Sequence, residues 1–226
     1  PKADWAPRFL RAKTTFLSLA ESGAAGYARA LAILDADARA ALYGEGMLRA
    51  RGDYRAEQPF VAMMDAAPAR SGLDAAQYAD LKFWLPGDIL TKVDRTSMAV
   101  GLEAREPLLD HRLLEFAATV PERQRIRGRQ GKWLMKHSME RYLPEDILYR
   151  PKQGFVVPLA QWFRGELADQ ARAVAASEIL LAGGLFDRSG LGQLVHSHVS
   201  GRRDHGRTLW QLLMLEKSLS YMGLSR

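Results

Sequence analysis

Helical periodicity recurs along most of the chain, and no segment shows the apolar–polar alternation of a half-buried strand. Turn-forming residues, such as Pro121 and the Gly183-Gly184 pair, interrupt the helical patterns. The sequence contains no internal repeat and no low-complexity tract. A mainly α fold is therefore predicted, with helices within residues 14–41, 74–81, 111–120, 132–142, 161–177 and 208–222.

The composition is that of a globular protein, because 47% of the 226 residues are apolar and 26% are charged. No run reaches the roughly 18 apolar residues of a membrane span, and the N-terminal order of residues is not that of a signal peptide. We therefore expect a cytoplasmic protein without a membrane partner. The absence of cysteine excludes disulfides, thiolate metal sites and a cysteine nucleophile from this sequence. A net charge of +6 does not choose between nucleic acid, a membrane surface and a polyphosphate as partner.

The segment 83–110, FWLPGDILTKVDRTSMAVGLEAREPLLD, is dense in carboxylates and cations inside an otherwise apolar stretch. Pro86 suits the first turn of a helix. The helical spacing then predicts a core-facing stripe of Ile89, Val93, Thr96 and Val100. Asp94 lies off this stripe and shares a face with Leu90, Ser97, Met98 and Gly101, so we expect its charge to be partly desolvated. Its candidate cationic partners are Lys92, Arg95 and Arg105.

Lys132 lies where the helix predicted over 132–142 begins. A cation there opposes the positive end of the helix dipole, so a bound anion is expected to compensate. Gly128 and Gly131 would let a phosphate approach the free backbone N–H groups. The spacing is not that of a P-loop, because two residues separate the glycines and Trp133 follows the lysine. An exposed, solvated lysine is the alternative interpretation.

Three segments together resemble one family: residues 83–110, Gly131-Lys132, and the loop 150–155 with the sequence RPKQGF. They are similar to the C-terminal synthetase domain of glutamine-hydrolysing asparagine synthetases and their amidotransferase relatives, including those of exopolysaccharide gene clusters. The resemblance is clearest over 81–165 and fades into a helical extension, 166–226. It implies one fragment, 1–226: the helical C-terminal portion of an α/β, PP-loop type of synthetase domain whose parallel-sheet part is missing.

The resemblance implies an ATP-dependent ligase that uses ATP with Mg²⁺. Such an enzyme adenylates a carboxylate, aspartate or an analogue, and amidates it with ammonia from an N-terminal glutaminase domain. Related enzymes that act on a polysaccharide or β-lactam precursor are the alternative. The family's Ser-Gly-Gly-x-Asp-Ser and Ser-Gly-x-Gly-x-Asp-Glu motifs are not in this sequence and are expected upstream of Pro1. We therefore expect a truncated chain that is inactive alone.

The resemblance also assigns expected roles to single residues. Lys132 is the expected catalytic residue, in contact with the ATP phosphates. The expected substrate- or ATP-binding residues are Asp94, Glu103, Arg105 and Lys152, and no metal ligand is assigned. From the residues alone, Asp94 and Glu103 fit either an acidic lining or ion pairs, and Lys152 fits either a phosphate contact or a loop closure.

Two positions near Pro107 depart from the family pattern, which usually has an apolar residue and Phe around the proline. Here the residues are Glu106 and Leu108, and this difference bears on substrate choice. Asp110 is expected to be structural. His196 and His198 stand two apart, which would point them to different faces of a helix or to the same face of a strand. No third ligand is close in the sequence, so no metal site is predicted.

The alternative function is a stand-alone helical module that binds nucleic acid or a protein through the basic segment 123–136. Its cations are Arg123, Arg125, Arg127, Arg129, Lys132 and Lys136. A solvated surface segment is the simpler interpretation of this run. Nucleic acid is disfavoured as a partner, because only Trp133 and Tyr142 offer aromatic rings for stacking nearby. A homodimer is the assembly left open.

Overall fold

The computed structural model describes residues 23–151, 154 and 157–223, and its regular structure is almost entirely helical. The first four helices are α1 (Gly23–Leu31), α2 (Ala36–Ala40), α3 (Glu45–Arg51) and α4 (Gln58–Asp65). Three helical segments then follow one another without a break: α5 (Gly72–Ala79), a π-helix (Asp80–Leu90) and α6 (Thr91–Met98). None of the described helices combines the length and apolarity that a bilayer crossing requires.

The next elements are a 3₁₀ turn (Pro107–Leu109), α7 (His111–Thr119), α8 (Glu122–Arg125), strands β1 (Ile126–Arg127) and β2 (Gln130–Gly131), α9 (Trp133–Met139) and α10 (Glu145–Leu148). The last part comprises α11 (Leu159–Trp162), α12 (Ala168–Ala176), α13 (Glu178–Leu181), a 3₁₀ turn (Ala182–Gly184), α14 (Arg188–Val199) and α15 (Gly206–Tyr221). The prediction of a mainly α chain is confirmed. The small antiparallel pair of β1 and β2 was not predicted, because two-residue strands have no period to detect.

The described residues form two compact units. The first unit contains the described residues before Met63 and those from 157 onward. The second unit contains the described residues between 63 and 154, including all of the predicted site positions that the structure describes.

The core of the first unit lies where three helical stripes meet. Each stripe has the spacing of a single helix face: Ala171 and Val174 on α12, Leu191, Leu194 and Val195 on α14, and Leu209, Leu212 and Leu213 on α15. Phe163, which follows α11, is fully buried in the same cluster. Burial of each large side chain contributes about 1.5–3 kcal/mol relative to exposure. These stripes therefore hold the first unit together.

Helix α3 is fixed to this core through backbone contacts. A Cβ atom on Gly46 would lie 1.9 Å from the carbonyl oxygen of Gly183, so no larger residue fits there. The amide of Gly44 donates to the carbonyl of Leu185 at 3.1 Å, and the amide of Asp187 donates to the carbonyl of Leu42 at 2.9 Å. These contacts place the start of α3 firmly against the segment 183–187.

The helical run 72–98 of the second unit begins at a side-chain cap and continues through a proline. Ser71 Oγ accepts a hydrogen bond from the amide of Asp74 at 3.2 Å, which satisfies one free N–H group of α5. The prediction that Pro86 opens a helix is wrong, because Pro86 lies inside the π-helix. Proline has no N–H to donate to the carbonyl four residues earlier, and a wider π-type turn is one way for a helix to continue past it. The Thr91 hydroxyl donates to the Pro86 carbonyl at 2.6 Å.

The second unit leaves much of its apolar surface exposed among the described residues. The prediction of a buried stripe is wrong: Val100 is 80% exposed, Thr96 is exposed, and Ile89 and Val93 are only partly buried. Other large apolar side chains with substantial exposure are Phe83, Trp84, Met98, Leu102, Leu108 and Phe116. An apolar surface of this extent is typical of an interaction face.

Candidate functional site

Lys132 follows directly after the β1–β2 hairpin. Ile126 pairs with Gly131 and Arg127 pairs with Gln130, and the connecting turn contains Gly128 with φ 60°. Lys132 itself has φ 58° and ψ 32°, in the left-handed region, and lies at the N-cap position of α9. It is the only residue other than glycine with a positive φ in the part of the chain that the structure describes. The predicted helix start is confirmed to within one residue.

Lys132 combines an unfavourable backbone conformation with an exposed ammonium that is unpaired among the described residues. A residue with a Cβ atom pays about 1–2 kcal/mol in this region, whereas glycine pays almost nothing. The side chain of Lys132 is exposed, and no carboxylate of the described residues lies within ion-pair distance of its ammonium. Residues held in sparsely populated backbone conformations cluster at functional sites. Lys132 therefore combines a strained backbone with an exposed ammonium.

Aromatic and cationic groups surround the start of α9. The guanidinium of Arg127 lies over the Trp133 ring, 4.9 Å from its centroid. The His137 ring stacks on the same indole, with centroids 4.9 Å apart and planes 14° apart. The Trp133 ring is thus engaged by two side chains of its own unit. It is a poor platform for stacking a nucleobase.

Arg125 joins the hairpin to α5 and is not part of a solvated surface. Its side chain is 14% exposed, as is that of Asp74, and the two form an ion pair. Arg125 also donates to the side chain of Gln77. The hydrogen bond from Arg125 keeps the pKa of Asp74 below its ordinary value, with further hydrogen bonds from Arg70 acting in the same direction. The interpretation of the basic run as entirely solvated is therefore wrong at Arg125, which anchors the segment that carries Lys132.

Asp94 does not have the environment predicted for it. It lies on α6 with its side chain 69% exposed, and its nearest cation, Arg95 Nε, is 3.9 Å away. The expectation of a desolvated carboxylate is wrong, because Met98 and Gly101, on the same face as Asp94, are themselves exposed. Lys92, a second predicted partner, pairs with Asp88 at 2.9 Å. Asp94 is thus available to a ligand at little desolvation cost.

Glu103 and Arg105 form an ion pair in the connection between α6 and the 3₁₀ turn. Arg105 donates from Nε to Oε1 of Glu103 at 3.0 Å and from Nη2 to Oε2 at 3.3 Å. Both side chains are exposed. The structure thus contains the ion pair that was one interpretation of Glu103. Their assigned roles in binding stay predictions, and Lys152 lies outside the described residues.

Asp110 has the structural role that was expected. It is the N-cap of α7, and its Oδ1 accepts from the amide of Arg112 at 2.9 Å. The Arg112 guanidinium also donates to both Asp110 oxygens, at 3.2 and 3.1 Å. These hydrogen bonds from Arg112 lower the pKa of Asp110. Glu106 and Leu108 flank Pro107 just before this cap, and Leu108 is exposed.

The two histidines of α14 lie on different faces, as expected for two positions two residues apart on a helix. His196 is exposed, whereas His198 is fully buried against Phe163 in the core of the first unit. His198 Nδ1 accepts a hydrogen bond from the amide of His205 at 2.9 Å. Sequence reasoning missed this role, although an apolar stripe that includes one histidine is a usable signal for a core position.

Among the described residues, Lys132 could meet an anionic group such as a phosphate, whereas no metal-binding cluster is present. Lys132 supplies an exposed cation without an ion-pair partner among them. No group of three acidic or histidine side chains in the described ranges is arranged to hold a metal ion. No described residue is therefore assigned to Mg²⁺.

Comparison with known proteins agrees with the family resemblance seen in the sequence. The family model described as asparagine synthase matches residues 2–220. A putative glutamine-hydrolyzing asparagine synthetase of Mycobacterium tuberculosis is 38% identical over 139 residues, which cover 61% of this chain and 21% of that protein. The glutamine-hydrolyzing asparagine synthetase 1 of Bacillus subtilis is 31% identical over 144 residues, covering 64% of this chain and 22% of that protein. The chain thus spans about a fifth of the length of these relatives. No solved structure gives a significant match.

Proposed function

Because this chain belongs to the asparagine synthase family, we propose that it forms the helical C-terminal portion of an ATP-dependent, asparagine synthetase-like amidotransferase. The match to the family model over nearly the whole chain carries this proposal and also confirms the resemblance seen in the sequence. The proposed reaction forms a carboxylate–AMP mixed anhydride with release of pyrophosphate. Ammonia then displaces AMP and leaves the amide.

Lys132 is proposed to neutralise phosphate charge in this reaction. Negative charge shifts onto the leaving pyrophosphate as the bond to the α-phosphorus breaks, and a fixed ammonium stabilises that charge more in the transition state than in the ground state. Two features support this role: the ammonium lacks an ion-pair partner among the described residues, and its backbone is set by the hairpin and by α9. The Arg125–Asp74 pair holds that hairpin to α5.

The exposed carboxylates and Arg105 are proposed to act on the substrate side. Asp94 and Glu103 would orient an amine or ammonia, and Arg105 would meet a carboxylate after exchanging its bond to Glu103. Lys152 is proposed as a second phosphate contact. Aspartate or an analogue is the proposed acid, and Glu106 and Leu108 are the positions proposed to adjust that choice.

The nucleotide site is proposed to be completed by a parallel-sheet, PP-loop portion of a longer polypeptide, with ammonia supplied by a glutaminase domain. The short coverage of the relatives supports this arrangement. The exposed apolar face of the second unit is consistent with it. This chain alone is therefore expected to form no amide from ATP, aspartate and ammonia. Turnover by the isolated chain would refute this part of the proposal.

The role of Lys132 is tested in the longer protein that contains this chain. We expect Lys132→Ala to lower kcat/KM for aspartate-dependent pyrophosphate release about 100- to 1000-fold, the effect of removing one group that stabilises transition-state charge. Lys132→Arg, which keeps the charge, should retain more activity. The matched control is Arg129→Ala, an exposed cation in the same hairpin. Equal activities for Lys132→Ala and Arg129→Ala would refute the assigned role.

A further inference from the structure

The first unit contains a cleft that plays no part in the proposed reaction. It lies between α2, α3 and the connection after α3, and its volume is about 260 Å³. This size suits a small molecule rather than a protein segment. We call it the arginine cleft; its lining includes Arg39, Arg51, Arg55, Tyr43, Tyr54 and Met47.

The charges along the arginine cleft are only partly balanced. Arg39 is satisfied, because its Nη2 donates to Glu57 at 2.5 Å and its Nη1 donates to the carbonyl of Leu34 at 2.8 Å. Arg51 and Arg55 have no carboxylate within ion-pair distance among the described residues. Two positive charges along one small cleft therefore have no carboxylate partner among the described residues.

These two cations converge on a single acceptor. Arg51 Nη1 lies 3.4 Å from the carbonyl oxygen of Tyr54, and Arg55 Nη1 lies 3.3 Å from the same oxygen. Both distances are at the long end for a hydrogen bond, so one neutral carbonyl serves two like charges poorly. In addition, Arg51 Nε is buried without a hydrogen-bond partner in the described structure. The cleft thus offers several guanidinium donors and too few acceptors.

We propose that the arginine cleft binds a small organic oxyanion, with its phosphate or carboxylate group held between Arg51 and Arg55. A guanidinium matches the geometry of either head group and donates two hydrogen bonds to it. The bound oxyanion would lie between the two like charges and reduce their mutual repulsion. The Tyr43 and Tyr54 rings provide an apolar wall for the organic part of the ligand. This site is independent of the function proposed for Lys132.

Isothermal titration calorimetry on the full chain tests the site with three probes: sodium phosphate, phenyl phosphate and benzoate, all at equal ionic strength. We expect saturable binding, with phenyl phosphate tighter than inorganic phosphate because of the aromatic wall. The tighter binder of phenyl phosphate and benzoate shows whether the site prefers a phosphate or a carboxylate group. Arg51→Gln and Arg55→Gln should each weaken binding at least about tenfold, the loss expected from one charge-assisted pair.

Two variants serve as controls for charge and for location. Arg49→Gln removes the same charge from the same helix, but Arg49 is 74% exposed, pairs with Glu45 and lies outside the cleft. Arg129→Gln removes an exposed cation of the second unit and tests whether the anion binds there instead. Both controls should bind as the unmodified chain does. Thermal unfolding followed by circular dichroism confirms folding, and Arg51→Lys replaces Arg51→Gln if the latter unfolds, since lysine also lacks the forked donors.

Three results would overturn the proposal. The first is the absence of saturable binding for every probe. The second is binding by Arg51→Gln and Arg55→Gln that equals that of the unmodified chain. The third is an equal loss of binding in Arg49→Gln, or a loss confined to Arg129→Gln. The former would assign the binding to general charge, and the latter would assign it to the other unit.

Discussion

Replacing Lys132 with glycine is expected to stabilise the region around α9 while removing the charge that the proposed reaction needs. The reason is the backbone at this position, which has φ 58° in a residue that carries a Cβ atom. Glycine adopts this conformation without the clash between Cβ and the following carbonyl oxygen. Lys132→Ala removes the same charge and keeps the clash. The glycine and alanine variants therefore differ in how the backbone conformation at position 132 contributes to stability.

The magnitude follows from two opposing contributions. Relief of the left-handed conformation raises the free energy of unfolding by about 1–2 kcal/mol. The greater freedom of glycine in the unfolded chain lowers it by about 0.5–1 kcal/mol. Lys132→Gly should therefore be about 0.5–1 kcal/mol more stable than Lys132→Ala. This difference slows local-opening hydrogen exchange about two- to fivefold.

Amide hydrogen exchange of the α9 segment, followed by mass spectrometry, measures the difference where it arises. Lys136 provides the matched control, because it lies within α9 and its right-handed helical backbone disfavours glycine. There the order should reverse, with Lys136→Gly about 1 kcal/mol less stable than Lys136→Ala. Lys136 also lies over the Tyr149 ring, but both variants lose that contact, so it cancels.

A reversal of sign between positions 132 and 136 is the signature of a strained lysine. Faster exchange in Lys132→Gly than in Lys132→Ala would refute the reasoning. It would mean that residue 132 does not hold a left-handed backbone in solution, and the argument from strain to function would fail with it.

Two further predictions concern buried polar groups. Burial lowers the pKa of His198 below its ordinary 6.5, with Arg164 acting in the same direction and Asp204 opposing it. As the pH falls, the unfolded chain therefore binds this proton at a higher pH than the folded chain does, so the free energy of unfolding should fall below pH 6.5. Burial also lowers the pKa of His205, which acts in the same direction. Urea unfolding at pH 7 and pH 5 should show a smaller decrease for His198→Asn, whose amide oxygen can still accept from His205, and an unchanged decrease would contradict the assignment. Arg125→Ala should lower the urea midpoint of the second unit, because it leaves Asp74 without its main partner, whereas Arg123→Ala, at an exposed position, should leave the midpoint unchanged.

Only some helices of the first unit were predicted from the sequence. The prediction over 208–222 corresponds to α15, whereas α3, α4 and α14 were not predicted, although α14 has the spacing of one buried face. The glycines at 183–184 and 201–206 mark real interruptions. The segment 161–177 was predicted as one helix, whereas the structure divides it into α11 and α12. The division falls at 163–167, where Phe163 turns into the core and Gly165 closes a turn onto the Gln161 carbonyl at 2.9 Å.

The candidate site was predictable in part. The family, the position of Lys132 and the capping role of Asp110 all depend on residues that are close together in the chain, so a short segment contains their signal. The exposure of Asp94 was not predictable in this way. It depends on whether another element covers the stripe beside it, and the spacing within α6 contains no such information.

The sequence by itself determined the helical class, the family and the lysine at the start of α9, because periodicity and ordered motifs are local properties. Only the tertiary structure decided which charges are paired. Arg125 meets Asp74 across 51 positions, and Arg39 meets Glu57 across 18. The physical reason is that a Coulomb interaction depends on distance in space and on exposure to water, and neither is set by the spacing of residues along the chain.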